Sequence, residues 1–386
     1  PENTEIALSF LPINHVFERM LNYLFFSMGI RVYYAESMET IVNDIQDVKP
    51  HIFAAVPRIF ERVYDKIYGK GLELKGIKRA IFFWALKIGQ KYDPTITQSK
   101  LYYKKLKLAN KLVFVKWREA LGGKLNAVVS GSAALQPRLS KVFGAAGIPV
   151  LEGYGLTETS PVIAVNRMDN IQPGTVGKVI DSGEVKIADD GEILFKGPNL
   201  MMGYYKDDDK TKEVIDSDGW FHTGDIGELN GDILKITGRK KEIFKLSTGK
   251  YVAPELIENK MKESPFIEQI MTVGEGEKYT AALICPAFEH LHSWAAIHNV
   301  KYRDNLDLIT NQIVIDRYNE EVEKKNSGLD HAMKIKKFSL VCEEWSPGTG
   351  ELSPTLKLKR RILVEKYKVK LNFLYGYSEN EGHILN

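Results

Sequence analysis

A short polar stretch, residues 152–161, concentrates side chains that can bind phosphate and a metal ion. Its sequence, EGYGLTETSP, holds two glycines, one aromatic ring, three Thr and Ser hydroxyls and two carboxylates. The apolar run 148–151 directly before it predicts the end of a buried strand. Open α/β sheets bind ligands where strands end, and hydroxyls, N–H groups and a nearby carboxylate suit phosphate and Mg²⁺. We predict a phosphate site here, with a turn capped by its own hydroxyls as the alternative.

Two further charged residues, Asp225 and Arg239, lie on either side of a predicted hairpin. Asp225 follows Gly224 just before a predicted strand, where the glycine lets a ligand approach and the carboxylate can bind two ribose hydroxyls. Arg239 comes fourteen residues later, beyond the Asn-Gly turn signal at 230–231, and can return to the same end of the hairpin. Its guanidinium suits a ribose, a phosphate or a carboxylate partner. An ordinary Thr-Gly-Asp turn is the alternative interpretation.

Three weaker candidates are Lys357, His15 and the glycine loop 247–251. Lys357 lies in the basic run 353–361, which is either a solvated surface or the site of a lysine that neutralises charge on a transferring group. His15 follows a predicted strand and either lines a pocket or has a structural role.

The composition predicts a soluble globular protein of two or three domains. The chain has 386 residues, of which 44% are hydrophobic and 27% charged. A net charge of +3 implies no general attraction to nucleic acid. The two cysteines, Cys285 and Cys342, have no metal or disulfide spacing and are consistent with a reducing, cytoplasmic location. No apolar run approaches the ~20 residues of a membrane span.

Strand and helix patterns alternate three times between residues 6 and 68 and resume at residue 125, which predicts a parallel sheet covered by helices. The loops that contain Ser130 to Ala133 and Gly153 to Gly155 both follow predicted strands. They should therefore lie at the same edge of the sheet and form a cleft into which a flat ring can slide.

Residues 69–122 interrupt this alternation with two basic helical segments, 77–92 and 100–121. Between residues 66 and 124 there are 15 Lys or Arg against three acids, a local charge of +12. Such a segment is either a basic amphipathic surface for an anionic membrane or a helical insertion packed on the domain with a solvated basic face. The sequence leaves both interpretations open.

From residue 173 the pattern becomes antiparallel, with turn signals at 188–191 and 230–231. We predict three regions in an α/β plus α+β protein. These are a partial, doubly wound α/β lobe (1–172, with the insertion at about 69–122), a β-rich barrel-like subdomain (173–240), and a smaller hinged C-terminal α+β domain (241–386).

Together these segments resemble the adenylate-forming superfamily of acyl-CoA synthetases, luciferases and adenylation domains, and more narrowly the long-chain fatty acid–CoA ligases. Nine matches occur in the family's order across nearly the whole chain. They are 11–19 (LPINHVFER), 56–62 (VPRIFER), 130–134 (SGSAA), 152–158 (EGYGLTE), 191–197 (GEILFKG) with Gly203 and Tyr204, 220–225 (WFHTGD), 238–245 (GRKKEIFK), Gly249 with Pro254 and Glu255, and 354–357 (PTLK).

The resemblance implies two half-reactions. ATP and a fatty carboxylate form acyl-AMP and pyrophosphate, and the thiol of coenzyme A then displaces AMP. A carboxylate is a poor electrophile, so its activation depends on positioning and on cationic stabilisation of charge at the α-phosphate. The implied cofactors and substrates are ATP or AMP, Mg²⁺, coenzyme A and a fatty acid.

The resemblance also implies a role for each matching position. The implied catalytic residues are Lys357, which would bridge the carboxylate and α-phosphate, Thr157 on the α-phosphate, and Glu158 on Mg²⁺. The remaining implied roles are adenine binding (Gly131, Ser132, Ala133, Gly153, Tyr154, Gly155), ribose binding (Asp225, Arg239), the domain hinge (Lys241), the pantetheine channel (Gly249), its phosphates (Lys250), and the acyl pocket or thiol entry (His15).

Two departures from the family pattern stand out. Leu356 precedes Lys357 where many relatives have Gly. The family's phosphate loop, of the type TSGTTGxPK, does not occur in these 386 residues. The chain therefore resembles the C-terminal part of a longer enzyme, and we expect it to have no or very weak adenylation activity alone.

Two other functions stay open at this point. One is a fatty acyl-AMP ligase that delivers its product to a carrier protein, and the other is a non-catalytic nucleotide- or acyl-binding module. The sequence leaves acyl chain length, oligomeric state and membrane contact undetermined.

Overall fold

The structure is a computed structural model that describes residues 4–37, 40–353 and 356–377. Its chain divides into two units, Pro1–Ile236 and Thr237–Asn386. Each unit is described by itself.

The first unit begins with the predicted alternation of strands and helices. The elements are β1 (Ile6–Ser9), α1 (Val16–Ser27), β2 (Arg31–Tyr34), α2 (Ile41–Val48), β3 (Ile52–Ala55) and α3 (Pro57–Glu73). The strands pair in parallel, with β1 between β2 and β3. Pro57 occupies the first turn of α3, where its missing N–H costs nothing. The sequence pattern of this region predicts that α2 begins at Met38, a residue outside those that the structure describes.

The insertion continues directly from α3. It comprises α4 (Gly76–Gln90), α5 (Lys100–Ala109), a π-helical turn (Asn110–Phe114) and α6 (Val115–Ala120). The predicted alternation ends at residue 68, but α3 continues through Gly69 and Gly71. A Cβ on Gly71 would lie 2.0 Å from the Phe82 ring, so the glycine permits close packing of α3 on α4.

Two more strands complete the parallel half of the sheet around one helix. The strands are β4 (Ala127–Ser130) and β5 (Val150–Gly155), and the helix between them is α7 (Pro137–Ala145). β4 pairs in parallel with both β3 and β5. A core under this half joins the sheet to α3, α7 and the insertion. Its buried residues include Phe60, Leu86, Phe114 and Phe143.

The antiparallel half of the first unit contains both predicted hairpins. Its elements are β6 (Val162–Val165), β7 (Gly177–Val179), β8 (Glu184–Ile187), β9 (Glu192–Lys196), α8 (Asp208–Val214), β10 (Phe221–Asn230) and β11 (Ile233–Arg239). These strands are not a closed barrel among the described residues. They extend the parallel half into one open 11-stranded sheet, in the order β2-β1-β3-β4-β5-β6-β7-β11-β10-β9-β8.

The second unit is built on a small hairpin and a three-stranded sheet. Its elements are β12 (Phe244–Lys245), β13 (Tyr251–Val252), α9 (Pro254–Met261), β14 (Ile267–Val273), β15 (Ala281–Pro286), α10 (Phe288–Ile297), α11 (Asn305–Thr310), α12 (Gln312–Asn326), β16 (Lys337–Leu340), α13 (Arg360–Lys366) and α14 (Lys368–Tyr375). β15 is the central strand and is fully buried, because helices cover both faces of its sheet. Across the described residues, no helix of either unit has the length and apolar character to span a bilayer.

Candidate functional site

The ends of β4 and β5 form one edge of the candidate site. Ser130 and Glu152 are register partners on these parallel strands, so the segments that follow them leave the sheet side by side. This confirms the predicted neighbourhood of the two segments. The predicted loop character of Gly153 to Gly155 is wrong, however, because β5 continues through these residues as an antiparallel partner of β6. Pairing with β6 satisfies backbone groups that an open loop would leave free.

Two glycines at this edge are required by close contacts. A Cβ on Gly155 would lie 1.6 Å from the carbonyl oxygen of Pro161, and one on Gly131 would lie 3.0 Å from the ring of Phe17. Ser132 beside Gly131 takes the left-handed conformation, with φ of 70°. Since backbone and ring atoms approach these positions so closely, larger residues would displace the segments that carry the predicted adenine-binding residues, which include the exposed Ala133.

A direct hydrogen bond joins β5 to the second half of the sheet. The Tyr154 hydroxyl donates to Oδ2 of Asp225 at 2.7 Å, although the residues are 71 positions apart in the chain. Asp225 is only 4% exposed, so its carboxylate is held in a restricted position. The structure thus brings together two residues for which the family resemblance implies adenine and ribose binding.

A bulge in β10 positions Asp225. We expected this residue before a strand, but it lies inside β10, at an irregularity in the pairing of β10 with β9 between His222 and Ile226. Gly224 has a φ of 72°, a left-handed conformation that favours glycine. Bulges of this kind redirect side chains near functional sites.

Glu192, for which the sequence predicts no individual role, supports the bulge. Its Oε1 accepts a hydrogen bond from the Gly224 N–H at 2.9 Å, and its Oε2 lies 3.1 Å from Nδ1 of His222. The Thr223 hydroxyl donates to the Ile193 carbonyl at 2.7 Å and accepts from the Asp225 N–H at 3.1 Å. The sequence signal for Glu192 was its place in the matching segment 191–197.

Thr157 and Glu158 lie in a 3₁₀ turn, Thr157–Thr159, just after β5. Thr157 is exposed, as a phosphate ligand must be. Glu158 accepts a hydrogen bond from the Tyr204 hydroxyl at 2.9 Å, and its carbonyl accepts one from the Met201 N–H at 2.7 Å. Burial and the Glu158 carboxylate together raise the pKa of Tyr204 to about 12. Tyr204 is therefore a neutral donor that orients Glu158, a role not predicted from the sequence.

Glu158 is the metal ligand that the family resemblance implies, and one of its carboxylate oxygens accepts from the Tyr204 hydroxyl. Among the described residues, no group of three or more His, Cys, Asp or Glu side chains converges as a metal site. Mg²⁺ commonly takes one or two carboxylates and completes its shell with phosphate oxygens and water. Glu158 can supply one such carboxylate.

A second glutamate, Glu152, lies buried directly behind the site. Its Oε1 and the Ser130 hydroxyl are buried with no hydrogen-bond partner among the described residues. Loss of hydration raises the pKa of Glu152 to about 8, which the neighbouring polar groups of Ser140 and Gly174 only partly offset. Burial therefore favours the protonated, uncharged form of Glu152.

His15 caps the first helix of the chain. Its Nδ1 accepts a hydrogen bond from the Phe17 N–H at 3.3 Å, at the N-terminus of α1. This contact has a structural role and orients the imidazole. It uses Nδ1 and does not involve Nε2, the other ring nitrogen. A role of His15 in binding acyl or thiol groups stays a prediction.

The remaining predicted residues belong to the second unit. Arg239 ends β11 and is exposed, and Lys241 lies in the exposed turn that follows. Gly249 and Lys250 form the turn between β12 and β13, where the Gly249 N–H donates to the Leu246 carbonyl at 2.9 Å. Gly249 has a φ of 84°, so the tight turn requires a residue that tolerates the left-handed region.

Lys357 lies in a loop closed by hydrogen bonds to Ser353. The Lys357 N–H donates to the Ser353 hydroxyl at 3.0 Å, and the Ser353 N–H donates to the Lys357 carbonyl at 2.8 Å. Leu356 has a φ of 61°, in the region where glycine is favoured, which explains why a glycine suits this position. The other two residues of this matching segment, Pro354 and Thr355, lie outside the described residues.

A partly buried ion pair anchors the end of the Lys357 loop. Arg360, the first residue of α13, makes two parallel hydrogen bonds of 2.9 and 2.8 Å to Glu258 and one of 3.1 Å to Glu242. Glu258 also accepts the Thr272 N–H at 2.7 Å. Bidentate Arg–carboxylate pairs combine strength with fixed geometry. Arg360 therefore ties the start of α13 both to α9 and to the residue that follows Lys241.

Two family models match the chain. Residues 1–205 match the AMP-binding enzyme model, and residues 241–379 match the model of the AMP-binding enzyme C-terminal domain. The chain therefore belongs to the AMP-binding enzyme family.

Relatives within this family include long-chain fatty acid–CoA ligases. The chain is 34% identical over 377 residues to long-chain-fatty-acid–CoA ligase FadD15 of Mycobacterium bovis, a match that covers 96% of this chain and 62% of the relative. It is 34% identical over 395 residues to human long-chain-fatty-acid–CoA ligase 6, which covers 98% of this chain and 56% of the relative. The chain thus spans between 56% and 62% of the length of these two relatives.

Solved structures show the same fold. The adenylation domain of a carboxylate reductase from Mycobacterium chelonae superimposes with a TM-score of 0.71 at 24% identity, covering 96% of this chain and 54% of that one. The corresponding domain from Segniliparus rugosus, solved with AMP and a co-purified carboxylic acid, has a TM-score of 0.71 at 22% identity, covering 98% of this chain and 55% of that one. The predicted adenylate-forming fold is confirmed.

Proposed function

We propose that this chain acts in the ATP-dependent, AMP-forming ligation of long-chain fatty acids to coenzyme A. The observation that carries the proposal is the Tyr154–Asp225 hydrogen bond at the edge of the sheet, in a chain whose relatives are long-chain fatty acid–CoA ligases. The proposed substrates are a fatty acid, ATP and coenzyme A.

In the first half-reaction, a carboxylate oxygen attacks the α-phosphorus of ATP and the bond to pyrophosphate breaks. Thr157 would donate to an α-phosphate oxygen, and Glu158 would hold Mg²⁺, which offsets phosphate charge when bound. Lys357 would place its ammonium against the carboxylate and α-phosphate, where negative charge accumulates. Positioning and charge neutralisation supply most of the rate in such reactions.

The nucleoside would be bound mainly by two groups of residues. Tyr154, Gly153, Gly155 and the segment of Gly131, Ser132 and Ala133 would enclose adenine. Asp225 and Arg239 would hydrogen-bond to the ribose hydroxyls. The bulge at Gly224 supports this role for Asp225, because it fixes the position of the carboxylate beside Tyr154.

In the second half-reaction, the sulfur of coenzyme A attacks the acyl carbon, and AMP leaves with the bonding electrons and the phosphoryl oxygen. We propose Lys241 as the hinge for the conformational change between the two steps. Gly249 would line the pantetheine channel, Lys250 would bind coenzyme A phosphates, and His15 would border the acyl pocket.

Binding of AMP to the 386-residue chain tests the nucleotide site directly. Isothermal titration calorimetry of the chain with AMP should give measurable binding, and Asp225→Ala should weaken it about tenfold or more, as expected for loss of charge-assisted hydrogen bonds. Asp232→Ala removes an exposed aspartate at the turn of the same hairpin and serves as the matched control. Equal affinity of the two variants would exclude the proposed ribose site.

The acceptor is tested separately from the nucleotide. The chain supplied with palmitoyl-AMP should form palmitoyl-CoA from coenzyme A, whereas ATP–pyrophosphate exchange should be absent or very weak, because the family's phosphate loop does not occur in residues 1–386. Robust exchange would contradict the second expectation. Transfer to the pantetheine arm of a carrier protein in preference to coenzyme A would instead identify a fatty acyl-AMP ligase.

A further inference from the structure

One face of α5 and the helical turns after it combines exposed leucines with exposed lysines. We call this the lysine–leucine face. Its members are Leu101, Lys104, Lys105, Leu108, Lys111 and Leu112, which are all exposed. Their spacing of three, four, seven, ten and eleven residues from Leu101 places them on one side of a helix. The leucines are 61%, 49% and 42% exposed in chain order.

The opposite side of the same segment is built into the core of the first unit. Tyr102, Ala109, Val113 and Trp117 are buried there. The Tyr102 hydroxyl donates to the Ile88 carbonyl at 3.0 Å. The lysine–leucine face is therefore presented by a helix that is already folded and anchored.

Two hydrogen-bonded side chains fix the segment against the end of α7. Asn110 donates to the Ala145 carbonyl at 2.9 Å, and its own Oδ1 accepts from Arg118 at 2.7 Å. Arg118 also donates to the Ala146 carbonyl. Arg118 is thus used internally, and the exposed positive charge of the segment comes from its lysines.

The helix α4 behaves differently, although its sequence suggested the same surface. Phe82, Ala85 and Leu86 are buried, and Ile81 and Trp84 pack partly against the same core. The apolar residues of α4 thus stabilise the insertion, as the packed-insertion interpretation predicted. An exposed apolar surface remains on α5 and the turns that follow it.

The segment that carries this face has charged side chains of one sign. Residues 100–118 contain six lysines and one arginine and no Asp or Glu. Among the described residues, no carboxylate forms an ion pair with Lys104, Lys105 or Lys111. These ammonium groups are available to an external anion.

We infer that the lysine–leucine face docks the protein on the surface of an anionic lipid bilayer. Lysines attract anionic headgroups, and leucines between them can enter the boundary between headgroups and acyl chains. Nucleic acid would match the charge but would leave the leucines without an apolar environment. The inference adds a source of substrate to the proposed function, because long-chain fatty acids partition into bilayers. Its evidence, however, is the lysine–leucine face and not the proposed activity.

Flotation of the 386-residue chain with vesicles tests the inference. The chain should bind phosphatidylcholine vesicles that contain about 30% phosphatidylserine, should bind pure phosphatidylcholine far less, and should dissociate as salt is raised. The variant Lys104→Glu/Lys105→Glu/Lys111→Glu should bind at least about 100-fold more weakly, since each lysine near an anionic surface contributes about fivefold. Absence of binding to the anionic vesicles would overturn the inference.

Two comparisons make the result specific. Lys212→Glu/Lys301→Glu/Lys324→Glu changes three exposed lysines elsewhere by the same charge and should bind like the unchanged protein. Leu101→Gln/Leu108→Gln/Leu112→Gln keeps every charge and should reduce vesicle binding about tenfold or more. Equal weakening by the two lysine variants, or undiminished binding of the leucine variant, would show non-specific polyanion binding and overturn the inference.

These outcomes are independent of catalysis. All nine substituted side chains are exposed, and circular dichroism and thermal melting of each variant verify its fold. Failure of the proposed function would appear as loss of AMP binding or thioester formation in solution. Failure of the docking inference would leave those activities intact and abolish the difference between vesicle compositions.

Discussion

Tyr154 and Asp225 form a 2.7 Å hydrogen bond between β5 and β10, strands from the two halves of one sheet. β6, β7 and β11 lie between these strands in the sheet order, so the contact spans the sheet and does not follow from strand pairing alone. The bond orients both a phenol ring and a carboxylate. In a nucleotide site, that pairing would couple the position of the base to the position of the ribose.

Tyr154→Phe tests this coupling. The variant keeps the aromatic ring but removes the hydroxyl donor, so Asp225 loses one partner while remaining largely buried. We expect AMP to bind about three- to tenfold more weakly, the range for one hydrogen bond. In calorimetry, the effects of Tyr154→Phe and Asp225→Ala should be non-additive in the double variant. Strict additivity would show that the bond does not contribute to ligand binding.

Gly155→Ala should destabilise the first unit. The new Cβ would lie 1.6 Å from the Pro161 carbonyl oxygen, so the backbone after β5 must move. Overpacking against fixed atoms costs about 1–3 kcal/mol, and backbone contact places this variant at or above the upper end. Urea unfolding should show the loss.

Gly69→Ala is the matched control for that variant. Gly69 lies inside α3, and its Cβ would meet no atom within 4 Å. Alanine in a helix is about 0.5–1 kcal/mol more favourable than glycine. This variant should be slightly more stable, and equal destabilisation by both substitutions would contradict the assigned contact at Gly155.

Glu152 should make stability depend on pH. Its pKa is about 8 in the folded protein because of burial, against an ordinary value of 4.5. Between these values the folded state holds a proton that the unfolded state has released. The free energy of unfolding therefore falls as pH rises from about 4.5 to about 8, by at most about 1.4 kcal/mol per pH unit from this group.

Glu152→Gln removes this contribution and should be more stable than the unchanged protein at pH 8.5, by an amount on the order of a few kcal/mol. Chemical unfolding of both proteins from pH 5 to 8.5 measures the difference. Glu18, whose pKa burial raises to about 7, adds a similar slope in both proteins and cancels in the comparison. Glu184→Gln, at an exposed carboxylate, should show the same pH dependence of stability as the unchanged protein. If the pH profile of Glu152→Gln also runs parallel to that of the unchanged protein, the assignment of a raised pKa to Glu152 is refuted.

Lys357→Ala separates the two proposed half-reactions. In an enzyme that carries the chain together with the family's phosphate loop, the variant should lose acyl-AMP formation by at least about a thousandfold, because a charge at the transition state is removed. It should form the thioester from supplied acyl-AMP at a nearly normal rate. Lys359→Ala, at the exposed lysine two residues on, is the control. Comparable loss of both half-reactions would contradict the proposed role.

Much of the fold follows from local sequence pattern. The alternation that predicts β1 to α3 and the Asn230-Gly231 turn between β10 and β11 were both correct, because periodic burial and turn conformations are determined over a few residues. Gly71 shows the limit of such arguments. The predicted alternation ends at residue 68, yet α3 continues through this glycine, which packs closely on Phe82 despite its low helix propensity.

The candidate site divides in the same way. Tyr154, Thr157, Glu158, Asp225 and Lys357 were selected by residue type and by the order of the matching segments. The sequence did not identify the residues that hold these side chains in place. Tyr204 on Glu158, Glu192 behind Asp225 and Arg360 beside the Lys357 loop all depend on contacts between segments that are far apart in the chain.

The sequence by itself therefore determined the family, the order of its elements and the chemical groups available for binding, because these depend on residue types and short spacings. Only the tertiary structure decided that residues 153–155 continue a strand, that Tyr154 donates to Asp225, and that α5 exposes Leu101 and Leu108 while α4 buries Phe82, Ala85 and Leu86. These outcomes depend on which surfaces the packed core covers, and burial is a property of the whole folded unit.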